Sequence, residues 1–91
     1  MKAVRVVIHG RVHGVWFRSW TLDRAAACGL SGWVRNRRDG TVEALFAGED
    51  AAIEAMIAAC GEGPPAARVT RVERFEAELP VELGFRQLPT V

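Results

Sequence analysis

Ninety-one residues, 49% of them apolar and 25% charged, suffice for one domain with a single core and are too few for two. This balance argues against disorder, and no apolar run approaches the length of a membrane span. The net charge of +1 hides an asymmetry: residues 1–38 hold eight Lys/Arg and one acid, residues 39–91 four Arg and ten acids, so the first part presents a field that attracts small anions.

The opening segment is too short and too polar for a signal peptide, which makes the cytoplasm the expected location. Residues 3–9 alternate, with Val4, Val6 and Ile8 on one face and Arg5, Val7 and His9 on the other, as in a strand with one buried face. Gly10 to Arg18 follows, reading G-R-V-H-G-V-W-F-R. Two glycines four apart allow a tight loop whose backbone N–H groups converge on one point. It closes on Arg18 in a first helical turn, where free N–H groups and the helix dipole favour an anion. The planar guanidinium suits phosphate oxygens, so the stretch reads as an oxyanion cradle with one fixed positive charge.

Phe17, Thr21, Ala25 and Cys28 recur at helical steps, which predicts a first helix over 17–28, ended by a left-handed Gly29. Leu30–Arg38 and Thr41–Ala47 read as the second and third strands, joined at Asp39-Gly40 by a two-residue hairpin with positive φ at both positions. Val42, Ala44 and Phe46 share the core face of the third strand. Gly48-Glu49-Asp50 opens a second helix with the stripe Ile53, Met56, Ile57 and Cys60, stopped by Gly61, Gly63 and Pro64-Pro65. Arg68–Ala77 is the fourth strand; Val69 and Val72 differ in parity, which predicts a bend or bulge. Gly84–Leu88 is a short edge-strand candidate after Pro80.

The order is βαββαβ, an α+β ferredoxin-like split β-α-β arrangement, with a four-stranded antiparallel sheet and two helices on one face. Cys28 and Cys60 form no C-x-x-C pair and no Cys/His cluster, so no metal site is expected, and both read as buried free thiols.

The loop motif, followed by G-W-V-R-N (Gly32 to Asn36) and D-G-T-V-E (Asp39 to Glu43), resembles the acylphosphatase family in order and spacing over nearly the whole chain. The resemblance implies a single acylphosphatase-like domain over residues 1–91 with the ferredoxin-like fold. It implies a hydrolase that splits the carboxyl–phosphate bond of a small-molecule acyl phosphate. The family's arginine and asparagine map onto Arg18, for phosphate binding, and Asn36, for orienting the attacking water. The phosphate would lie on the backbone of His13, Gly14, Val15, Trp16, Phe17 and Arg18. The family more often has glutamine where this chain has His13.

The chemistry is compatible with these residues. Phosphoryl transfer passes through a loose transition state served by positioning and electrostatics, so neither metal nor cofactor is expected. A carboxylate leaving group needs little acid help. An amide such as that of Asn36 offers a water both an acceptor and donors without ionising. Ser19 and Ser31 lack a His/Asp partner at any recognisable spacing, which disfavours a phosphoenzyme. Each tryptophan is expected in core or boundary packing, with Trp16 the one placed to line a pocket mouth. His13 is expected to act through its backbone N–H. Arg35, Arg37 and Arg38 read as solvated.

Two other functions share this fold, a non-catalytic anion-binding module and an RNA-binding module. The second needs stacking aromatics on the open faces of the first and third strands, where this chain has Arg5, Val7, His9, Glu43 and Leu45. No nucleic acid or membrane partner is expected, and a monomer is the simple expectation.

Overall fold

The computed structural model describes residues 1–80 and 82–91. In chain order it contains β1 (Lys2–Arg11), α1 (Phe17–Ala27), β2 (Ser31–Asn36), β3 (Val42–Gly48), α2 (Asp50–Cys60), β4 (Arg68–Ala77) and β5 (Phe85–Gln87). The strands lie side by side as β4-β1-β3-β2-β5. β1 runs antiparallel between β4 and β3, and β3 runs antiparallel to β2.

The βαββαβ order stands, but the sheet is five-stranded and mixed rather than four-stranded and antiparallel. β5 pairs parallel with β2, setting Gly32 opposite Phe85 and Val34 opposite Gln87. The outer edge of β2 would otherwise expose unpaired backbone groups. The tail continues the cover: Leu88 N–H donates to Val34 (2.9 Å) and Val91 N–H to Asn36 (3.1 Å).

Alternation on the strands and the helical period on α1 and α2 meet in one core. Val4, Val6 and Ile8 join Val34, Val42, Ala44 and Phe46 beneath Phe17 and Ala25 of α1 and Ile53, Met56 and Cys60 of α2. Both helices therefore cover the same face of the sheet.

The opposite face is less open than alternation implies. Val7, Glu43 and Leu45 are buried there, and Leu45 clusters with Ala3, Ala47 and Trp33. Long side chains lying flat on the sheet provide the cover. Arg5 Nη1 (2.9 Å) and Arg35 Nε (2.8 Å) both donate to Glu43, and their guanidiniums sit over Phe75 and Trp33. Arg35 is thus tied into the sheet face rather than solvated.

Three local features carry sequence signals. Gly29, at φ 72°, ends α1 with Leu30 N–H bonded to Ala25 and Gly29 N–H to Ala26, which satisfies two terminal carbonyls. Cys28, the C-cap, is exposed rather than buried as expected, and Leu30 beyond the stop is buried in the core. At the β2–β3 hairpin only Gly40 has positive φ, and Arg37 N–H donates to Thr41, so the loop is Arg38-Asp39-Gly40. A three-residue loop with a left-handed glycine last replaces the expected two-residue turn. The predicted irregularity in β4 is present: His9 pairs with Arg71 and Gly10 with Val69, leaving Thr70 as the extra residue.

Cys60 is fully buried and its thiol is pushed up to about 12 by desolvation. A thiol reagent at neutral pH should label Cys28 in the native protein and reach Cys60 only on unfolding, read as one fast equivalent and a second released by denaturant. Gly32 has φ 133°, and a Cβ there would lie 1.9 Å from the Leu45 carbonyl oxygen. Gly32→Ala should cost about 1–3 kcal/mol in urea unfolding, because backbone must move to accept it.

Candidate active site

The site follows from the strand order. β3 separates β1 from β2, with Val42 opposite both Ile8 and Asn36. α1 packs on β2 and β5, so the chain leaving β1 must cross the end of β3 before the helix starts. The β1–α1 connection therefore lies over the end of β2, where Asn36 stands.

Val12 and Val15 are buried pegs that fix this connection to the core. Between and after them the backbone turns left-handed twice, at Gly14 (φ 70°) and at Trp16 (φ 65°, ψ 26°). Trp16 is the N-cap of α1 and supplies no side-chain cap; its carbonyl accepts the first helical bond, from Trp20 N–H at 3.0 Å. Among the described residues, the N–H groups of residues 14–19 donate to no protein acceptor. No acid stands in the first turn of α1; the charged residue there is Arg18. The result is a row of free donors, the positive end of a helix dipole and a guanidinium in one place.

A cleft of about 470 Å³ opens at this point, lined by Gly14, Trp16, Phe17 and Arg18 from the connection and by Asn36 from β2. Asn36 shares the helix-facing side of β2 with Gly32 and Val34. Its side chain has no hydrogen bond among the described residues, and Arg18 has no carboxylate within salt-bridge distance among them. The two proposed side chains thus meet in one cleft with their polar groups unspent.

Two loop residues are placed otherwise. The side chain of Val15 faces the core, and that of His13 turns to the β2–β3 hairpin, its Nε2 2.8 Å from the Thr41 carbonyl oxygen. Thr41 is held in turn by Asp39, whose Oδ1 accepts from the Thr41 hydroxyl (2.6 Å) and N–H (3.0 Å). The Thr41 hydroxyl bond, then its N–H, with Arg37 and His9 adding charge, hold the Asp39 carboxyl below the usual carboxylate range. A lowered carboxylate supports the fold above its unfolded pKa and loses that support as pH falls through its folded value.

The tryptophans divide. Trp20 packs edge-on to Phe17 beneath Arg24, and Trp33 lies under Arg35. Trp16 departs from the packed position expected of it: it is 82% exposed at the lip of the cleft. The cleft also includes Val12, Ser19 and Gln87, which the sequence reading did not place in the site. Val12 and Ser19 lie inside or beside the glycine loop and were within reach of its pattern. The edge-strand candidate at Gly84–Leu88 is present as β5, and its parallel pairing with β2, for which nothing within the segment gives a signal, brings Gln87 to the cleft.

Comparison with known proteins gives the chain its relatives. The acylphosphatase family model matches residues 4–87. An acylphosphatase of Rhodospirillum rubrum is 53% identical over 91 residues, covering the whole of both chains. The crystal structure of an acylphosphatase from Bacillus subtilis superposes with a TM-score of 0.93 at 35% identity, covering 97% of this chain and 99% of that one. One from Coxiella burnetii gives 0.92 at 33% identity, covering 96% and 92%. With its glycine loop, its split β-α-β order and near-complete coverage by these relatives, the chain belongs to the acylphosphatase family.

Proposed function

We propose that residues 1–91 act as one domain that hydrolyses acyl phosphates to a carboxylate and inorganic phosphate, without a metal. The observation that carries this reading is the run of unspent N–H donors at residues 14–19, closed by Arg18 and opened toward Asn36. An isolated row of donors at a helix start suits a phosphoryl group, whose oxygens take several N–H bonds at once. The Arg18 guanidinium supplies the fixed charge against the equatorial oxygens as they gain charge in a loose transition state. The family's name and the relatives' names agree with that class of substrate.

In this mechanism the backbone of His13 to Arg18 and the Arg18 side chain hold the phosphoryl group. Asn36 Oδ1 accepts a hydrogen bond from a water and sets it in line with the bond to be broken. A P–O bond to water forms as the P–O bond to the acyl oxygen breaks. The carboxylate leaves with the bonding pair, and the protons of the water end on phosphate and solvent. A carboxylate is a stable leaving group, so the cleft needs no acid beside it. Ser19 faces the cleft without a His or Asp partner among the described residues, which favours direct attack by water over a phosphoserine.

Benzoyl phosphate should be hydrolysed by the purified chain with chelator present. Arg18→Ala and Asn36→Ala should each lower turnover at least about 10²-fold, as loss of an oxyanion donor does, while melting cooperatively. Arg18→Ala should also weaken competitive inhibition by inorganic phosphate, whereas Asn36→Ala should largely keep it; normal phosphate binding by both variants would refute the division of roles.

The His13 ring is bound to the Thr41 carbonyl outside the cleft. His13→Gln should therefore leave the shape of the kcat/KM profile between pH 5.5 and 7.5 as in the wild type. His13→Ala should lower stability by about 0.5–1.5 kcal/mol, the net worth of one hydrogen bond. A profile flattened by the glutamine would put the imidazole in the substrate's field.

A further inference from the structure

Trp16 combines three features that packing does not account for. It is the sole non-glycine residue at positive φ among the described residues. Its ring is 82% exposed. Of the three tryptophans it alone has neither an aromatic partner nor a guanidinium over its ring among the described residues. An unfavourable backbone that holds a bare ring at the rim of a cleft points from geometry to use.

The cleft lining carries groups of different chemistry. Gly14, Arg18 and Asn36 supply the polar groups suited to the phosphoryl group. A substrate gripped there places its carbonyl one bridging oxygen away, and its acyl substituent must extend along the remaining wall. Phe17 and Val12 are nearly sealed in the core and form floor rather than wall. What remains of the lining is Trp16, the small hydroxyl of Ser19 and Gln87 on β5, of which Trp16 alone offers an apolar ring. An indole offers a flat apolar surface with little rotamer freedom to lose, and it stacks best on another flat ring.

We infer that Trp16 is the specificity residue for the acyl group, with Gln87 as the facing wall, and that they make this enzyme favour planar aromatic acyl phosphates over acetyl phosphate. The inference rests on the acyl phosphate reading above. Trp16 touches the substrate in two ways: its backbone belongs to the phosphate cradle and its ring to the acyl subsite. Only the ring discriminates between acyl groups.

The test is the ratio of kcat/KM for benzoyl phosphate to that for acetyl phosphate, measured in the wild type, Trp16→Gly, Trp16→Asn, Trp16→Phe and Gln87→Ala. Glycine and asparagine both accept a left-handed backbone, so they remove the ring while keeping the loop's conformation within reach. The ratio should fall about 3- to 10-fold in Trp16→Gly and Trp16→Asn, carried by KM for benzoyl phosphate, which is the range expected for one aromatic contact. Trp16→Phe should retain most of the ratio, and Gln87→Ala should lower it in the same direction. If the glycine and asparagine variants slow both substrates equally and keep the ratio, the ring does not read the acyl group and the inference is overturned. A folded wild type that hydrolyses neither substrate would overturn the acyl phosphate reading itself, and this inference with it.

Discussion

The start of α1 is the constraint on which the rest depends. A helix leaves its first N–H groups unpaired, and proteins usually satisfy them with a Ser, Thr, Asp or Asn side chain and place acids in the first turn. α1 does neither. Its N-cap is a left-handed tryptophan without a capping bond, and its first turn carries Arg18 at the positive end of the dipole. α2 also lacks a side-chain cap, but it opens from an extended Glu49 and places Asp50 in its first turn, where α1 has no acid. Each choice at α1 is unfavourable for the isolated helix, and together they describe a helix start whose complement is an external anion. Local rules broken in concert, at one point, mark function more reliably than any single residue there.

How much of this was legible in the sequence depends on the range of the interaction. Features set by a few neighbouring residues were readable: the alternation of Val4, Val6 and Ile8, the Gly29 stop, and the parity break between Val69 and Val72. Each is fixed by pleat, helical period or a glycine's conformational range. Cys28 shows the limit of periodicity. Its spacing from Ala25 fits the buried face, but Cys28 is the C-cap, beyond the last helical turn that packs on the sheet, and its side chain is exposed. At the hairpin, Asp39-Gly40 signalled a turn, yet Asp39 spends its side chain on Thr41 and leaves Gly40 alone to take positive φ.

Features set by distant pairing were not readable. β5 is three residues long and parallel to β2, so no pattern within it identifies its partner. The buried state of Val7, Glu43 and Leu45 on the second sheet face has the same origin. It comes from the reach of Arg5 and Arg35 across neighbouring strands, each guanidinium held between Glu43 and an aromatic ring. Arg18 and Asn36 stood out in sequence through motif spacing. Their placement in one cleft is a property of the crossover, because the chain from β1 must pass over β3 to reach β2.

The late part of the chain matters for the same reason. Asn36 ends its strand, a position where a lone edge strand frays. Here it is held from both sides: it pairs with Val42 of β3, and its carbonyl accepts from Val91 N–H while Arg38 N–H donates back to the Val91 carbonyl at 2.7 Å. β5 extends that support along β2 and delivers Gln87 to the cleft. The anion-binding part of the site is thus built on a loop pinned by Val12 and Val15, and Asn36 on a strand clamped between two others. A water can be aimed only from a residue whose backbone does not move, and rigid support of this kind separates a cleft that merely binds phosphate from one that positions a reaction.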